Sequence, residues 1–169
     1  MKKPDSTPIY TYRWNSQKKR PGNTLNEEEA RRRFETGEEF TVVFPGKEEE
    51  SWPTLITFIL QDQCVITSFL DKQGRKMMEY TYRKEEDDYL FLHMRNFWSY
   101  PNENPKLKLF HANKIEEDHQ TPSGYTRRII IDKDENLKDT LEYRDVPVED
   151  NWVPFPEFGD WEELSKYDR

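Results

Sequence analysis

The chain has 169 residues, 33% of them hydrophobic and 36% charged, with a net charge of −8, which leaves room for one domain and hardly two. Leu, Ile, Val and Phe together make up 35 of the 169 residues, just above the level at which so charged a chain stays disordered. The core must therefore be built from rings, which form 14% of the chain and remove roughly 150–250 Å² each from water when buried. Only Ala30 and Ala112 represent alanine, and rings with β-branched residues in its place point to sheet.

Met1-Lys2-Lys3-Pro4-Asp5-Ser6-Thr7-Pro8 carries no apolar stretch after its lysines, so no secretory signal is expected. The longest oily run, Leu55 to Leu60, is far short of the roughly 20 residues that span a bilayer. A cytoplasmic protein without a membrane partner is the expectation. Charge is uneven: through Arg33 nine basic residues face four acidic ones, and the remainder carries 17 against 30. So acidic a body repels phosphates, and nucleic acid is not expected as a partner.

In chain order, a first strand is expected at 9–14, where Tyr10, Tyr12 and Trp14 share a face by period two. A helix follows from Leu25 to Thr36. Thr24 with Glu27 matches a capping box, Arg31, Arg32 and Arg33 suit the negative end of the helix dipole, and Gly37 stands where a left-handed stop belongs. Its apolar face, Leu25, Ala30 and Phe34, is thin.

From 40 to 144 the chain reads as strands near 40–44, 53–60, 64–70, 75–83, 89–98, 106–116, 125–132 and 137–144, separated by polar turns. Links this short favour antiparallel neighbours. Phe69-Leu70-Asp71-Lys72 leading to Gly74, and Ile130-Ile131-Asp132-Lys133 leading to Asn136, share one hairpin chemistry; two copies make no repeat array. Cys64 stands alone, so no disulfide or CxxC knuckle exists, and its surroundings suit a buried thiol.

Trp152 to Trp161 changes character, with rings and prolines but no alternation, and Asp160 with Glu163 looks like the start of a short helix through Tyr167. Such a strip covers a sheet face or barrel end. The expected fold is mainly β: a single domain, 1–169, made of a strand and capped helix (9–36), an antiparallel up-and-down meander (37–145) of eight to ten strands, and a proline-aromatic strip with a short helix (146–169). The meander forms a barrel or a strongly curved sheet.

In 89–98 both strand faces are apolar, Leu90, Leu92, Met94, Asn96 and Trp98 on one and Tyr89, Phe91, His93, Arg95 and Phe97 on the other, so both want cover. In 106–116, His111 and Asn113 share the face of Leu107, Leu109 and Ile115; Arg127 shares one with Tyr125, Ile129 and Ile131, and Tyr80 and Tyr82 share one with Met78. If the sheet rolls up, Tyr80, Tyr82, His93, His111, Asn113 and Arg127 become polar tips on an oily floor, the composition of a small-molecule pocket. His119 beside Glu117 lacks a second histidine at metal-ligand spacing, so no metal site is expected, and the sequence leaves any cofactor unknown.

No GxSxG, HExxH, GxGxxG or phosphate-cradling glycine loop is present. The leading expectation is a non-enzymatic protein that binds a small, partly apolar molecule in the concavity. One alternative is an acidic interaction module that shields a basic protein partner; another is an enzyme using His111 or His93 with Arg127.

Overall fold

A computed structural model describes residues 7–46 and 53–169; the lysine-bearing leader Met1 to Ser6 lies outside the described residues. The chain opens with β1 (Ile9–Thr11), a small ribbon of β2 (Trp14–Asn15) and β3 (Arg20–Pro21), and β4 (Thr24–Leu25), then α1 (Glu27–Thr36). The meander runs through β5 (Phe40–Phe44), β6 (Thr54–Ile59), β7 (Cys64–Leu70), β8 (Lys76–Glu86), β9 (Tyr89–Ser99), β10 (Lys114–Gln120), β11 (Thr126–Asp132) and β12 (Leu137–Tyr143). A last strand, β13 (Trp152–Pro154), precedes a single 3-10 turn at Glu163–Ser165.

Eleven of these thirteen strands form one antiparallel sheet, ordered β12-β11-β10-β9-β8-β7-β6-β5-β1-β4 with β13 paired to β9 off that path, while β2 and β3 pair with each other. The expected antiparallel meander is present, and the sheet stays open: β12 and β4 are its ends, so the barrel alternative gives way to the curved sheet.

Two faces follow from the register. On the inner face, Phe40, Phe58, Val65, Tyr82 and Leu92 lie side by side across β5 to β9. The next row is Val42, Ile56, Thr67 and Tyr80. Over these rows pack Ala30 and Phe34 from α1 and Val153, Phe155, Phe158, Trp161 and Leu164 from the C-terminal segment, forming the main core. Phe34 is its hub, with ring centroids 5.6 Å from Phe58, 5.8 Å from Phe155 and 5.8 Å from Trp161. Helix and strip, the two available covers, thus both lie on the inner face. The outer face has a smaller cluster of Val43, Leu55 and Leu70 under Ile9 and Trp14.

Three local expectations are corrected. Asn26, not Thr24, caps α1, accepting from the Glu29 N–H at 2.8 Å, and Gly37 ends the helix at φ 76°; Thr24 belongs to β4. The capping-box pattern fits equally two residues on, with Glu29 third after Asn26. The C-terminal helix is reduced to one 3-10 turn, because Leu164 points into the core while its carbonyl accepts from Thr67 Oγ1 at 2.9 Å.

Strand 106–116 is instead a loop followed by β10. Asn102 and Asn104 accept from backbone N–H groups two residues on, and Leu109 to His111 form a 3-10 turn. Polar Glu116 to His119 are strand because β9 and β11 pair with them on both sides.

The fourth correction governs the site. Tyr82 pairs with Leu92 but Thr81 pairs with Met94, so His93 is an extra residue in β9. A bulge of one residue exchanges the faces of everything beyond it. Leu90 and Leu92 are inward, as are Arg95 and Phe97, which pair with Tyr80 and Met78. At the same point β9 changes its second neighbour from β13 to β10.

Candidate functional site

Beyond the bulge the inner face becomes polar. One row runs Tyr80, Arg95, Asp118, Arg128, Leu141 across β8 to β12. Beside it lie Phe97, Glu116 and Ile130 on one side, and Gln120, Thr126 and Tyr143 on the other. The C-terminal segment ends against this region. Tyr80 Oη donates to the Tyr167 carbonyl at 2.7 Å, and Arg169 pairs with Glu163, which also holds Lys166. Those hydrogen bonds, Lys166's first, keep the Glu163 carboxyl below its ordinary range.

Two arginines flank one aspartate here, and the aspartate is taken. Arg128 holds Asp118 through two bonds, Nε to Oδ1 at 2.6 Å and Nη2 to Oδ2 at 2.8 Å, a fork-to-carboxylate match. Arg95, in register with Asp118, donates from Nη2 to Asn151 Oδ1 at 3.0 Å. Its Nε is buried with no acceptor among the described residues. Asn151 in turn donates to Gln120 Oε1 at 2.7 Å, and Gln120 to Thr126 Oγ1 at 3.4 Å. A chain of neutral amides thus fixes the Arg95 head without neutralising it.

The tyrosines stand behind this arginine. Tyr82 is wholly buried, and its hydroxyl has no partner among the described residues. Burial pushes the Tyr80 and Tyr82 phenols above their usual range, while the positive charge of Arg95 acts on both in the opposite sense. Tyr100, whose ring lies under the Arg75 guanidinium and whose hydroxyl donates to the Lys76 carbonyl at the start of β8, is raised by burial to about 12.

A pH dependence follows. A phenol held neutral in the folded state loses its proton first in the unfolded chain, so stability is intact below about pH 10. It falls as pH rises from there through the raised folded values. Alkaline titration is expected to show tyrosinate absorbance at 295 nm appearing in a cooperative step together with loss of sheet circular dichroism. Tyrosinate signal growing to completion with the fold intact would contradict this.

The six residues expected to line the pocket do not come together. Tyr80 and Tyr82 are inner-face residues in the core. His93 is the bulge residue, bridging the Gln120 carbonyl at 3.1 Å and Glu85 Oε1 at 2.5 Å, which ties the β8–β9 hairpin to the end of β10. His111 is exposed in the 3-10 turn, where Nδ1 accepts from the Lys108 N–H at 2.9 Å. Asn113 follows that turn and donates to Asp134 Oδ2 at 2.6 Å. Arg127 is exposed on the outer face, in register with His119 and Glu142.

The alternation that points His111 and Asn113 inward falls on a loop and a 3-10 turn, not on a strand. Arg95, Asp118, Arg128, Asn151 and Arg169 are the polar residues that the fold assembles in their stead. One signal for them is in the sequence: a hairpin closed by Thr121-Pro122-Ser123-Gly124 pairs Asp118 with Arg128.

The remaining groups have quieter roles. His119 Nε2 lies 3.5 Å from Glu117 Oε2, and no set of three possible metal ligands comes together among the described residues. Burial raises the Cys64 thiol, which favours its protonated form. No helix among the described residues is long and apolar enough to cross a membrane. Comparison with protein-family models, with curated proteins and with solved structures gives no match to this chain.

Proposed function

We propose that the protein binds a small carboxylate-bearing molecule with an apolar body on the polar half of its inner face, without transforming it. The observation that carries this reading is Arg95: a partly buried guanidinium with one neutral acceptor, in a chain of net charge −8. Holding a cation away from water without an anion is costly, and a carboxylate is the group whose two oxygens match a guanidinium edge. Phe97, Ile130 and Leu141, in the same and adjoining rows, offer the apolar body a place beside it. A few fixed polar groups on an oily wall are how small-molecule sites gain orientation.

An enzyme reading finds less support. The histidines it relied on, His93 and His111, are engaged with backbone or with Glu85, and Arg127 is on the opposite face.

The test is calorimetric titration with benzoate, hexanoate and inorganic phosphate. Wild-type protein is expected to bind the carboxylates with dissociation constants between about 10 μM and 1 mM, a range suited to one good ion pair and a small apolar contact. Arg95→Gln weakens them at least tenfold, whereas Asp118→Asn tightens them several-fold by releasing Arg128 from its partner. Carboxylate binding that is equal in all three proteins, or absent from wild type, refutes the assignment.

A further inference from the structure

The sheet ends at β12, whose only neighbour among the described residues is β11. Its side chains are nearly all exposed, and Leu137 and Tyr143, at its two ends, are 48% and 45% exposed. Long free edges are usually blunted by charge, proline or a bulge; β12 has no proline and no bulge, and its charges, Lys138, Asp139 and Glu142, are of both signs. We infer that β12 pairs antiparallel with the β12 of a second copy of this chain, about a two-fold axis at Thr140.

The sequence of the strand is complementary to its own reverse. Centred on Thr140, Leu137 faces the second copy's Tyr143 and Lys138 faces its Glu142, each twice by symmetry, while Thr140 faces Thr140. Apolar–aromatic, opposite-charge and threonine pairs are the combinations that stabilise facing strands. Asp139 against Leu141 is the one mixed pair.

Neighbouring registers fail. Sliding by one facing pair sets Lys138 against Arg144 in one direction and Asp139 against its own copy in the other. Sliding by a single residue sets inner-face side chains against outer-face ones. The favoured register also makes the two inner faces continuous, because Leu137, Leu141 and Tyr143 share the face of Arg128.

The backbone direction fits as well. Thr140 N–H donates to Asp139 Oδ1 at 2.8 Å, so it points away from β11, and Lys138 and Glu142 share that outward phase. In the pair, each outward residue exchanges both backbone hydrogen bonds with the one it faces. The Asp139 carboxylate competes for that N–H, so it is a guard that self-pairing must displace.

Light scattering after size exclusion, and sedimentation, from about 1 to 500 μM cover the affinities expected of so small an interface. Wild type is expected to move from the 20.6 kDa chain mass to twice that value across this range. Asp139→Ala, which removes the guard, dimerises at least several-fold more tightly. Lys138→Glu and Glu142→Lys each set like charges opposite one another and weaken the dimer at least tenfold. Mixed together they form a heterodimer, because each supplies the charge that the other's edge requires. The inference fails if wild type and Asp139→Ala both stay monomeric at the highest concentration. It fails equally if a dimer forms that neither charge reversal weakens, or if the mixture of the two reversals does not associate.

Discussion

Trp161→Ala is expected to cost about 3–5 kcal/mol, the range for deleting a large buried ring from a close-packed core. The indole is 3% exposed and meets Phe34, Phe58 and Phe158 at centroid distances of 5.8, 5.1 and 5.4 Å. Those three come from α1, β6 and the C-terminal segment, so its loss uncouples three parts of the chain at once. For a domain of this size the cost corresponds to a fall in melting temperature of roughly 6–20 °C. Trp161→Phe is the informative companion. The indole N–H is buried without a partner among the described residues, so phenylalanine gives up some contact area but also removes an unpaired donor, and about 1 kcal/mol is expected. Chemical denaturation of both variants decides the matter; equal, small losses would mean that the C-terminal segment adds little to the core.

Gly124→Ala carries the second large effect, about 3 kcal/mol, from two costs that add. The residue sits at φ +83°, where a side chain is strained. A Cβ there would lie 2.8 Å from the carbonyl oxygen and 3.2 Å from the nitrogen of Val146. Neither backbone atom can retreat cheaply, because Val146 N–H donates to the Gly124 carbonyl at 3.0 Å. This is where the chain leaving β12 is fastened to the β10–β11 turn on its way to Asn151 and β13, so the substitution also loosens the amide that positions Arg95. Gly159→Ala provides the contrast. It shares a left-handed φ, +98°, with nothing within 4 Å of the added carbon, so only the backbone term of about 1 kcal/mol is expected. Matching losses at the two sites would show that the contact with Val146 is soft.

How far the sequence reveals this fold depends on whether local pattern and tertiary pairing agree. Phe40 to Phe44, Cys64 to Leu70 and Leu137 to Tyr143 are strands where the alternation and the flanking turns place them. Lys106 to Asn113 alternates just as well and is a loop with a 3-10 turn, the strand starting only at Lys114, because Pro105 and the two asparagine turns settle the backbone before any partner strand can. Conversely, Glu116 to His119 has little strand character of its own and is held by neighbours on both sides.

The site was harder to read for a single reason, the extra residue at His93. Both faces of β9 are apolar, so period two cannot show where the phase changes. With the phase unknown, Arg95 stays grouped with His93 rather than with Leu92. The aromatic strip was legible as a cover, but which face it covers is a matter of packing. It fills the apolar half of the concavity with Trp161, Leu164 and Phe158, leaving the ligand reading to the polar half.

The most direct measurement of that reading is the Nε–H resonance of Arg95 in a proton–nitrogen correlation spectrum, assigned with Arg95→Lys and followed during titration with benzoate. Saturable movement of this resonance, with the Nε–H of exposed Arg13 unmoved, is the predicted result. Binding of benzoate that leaves the Arg95 signal in place while resonances elsewhere shift would contradict the account.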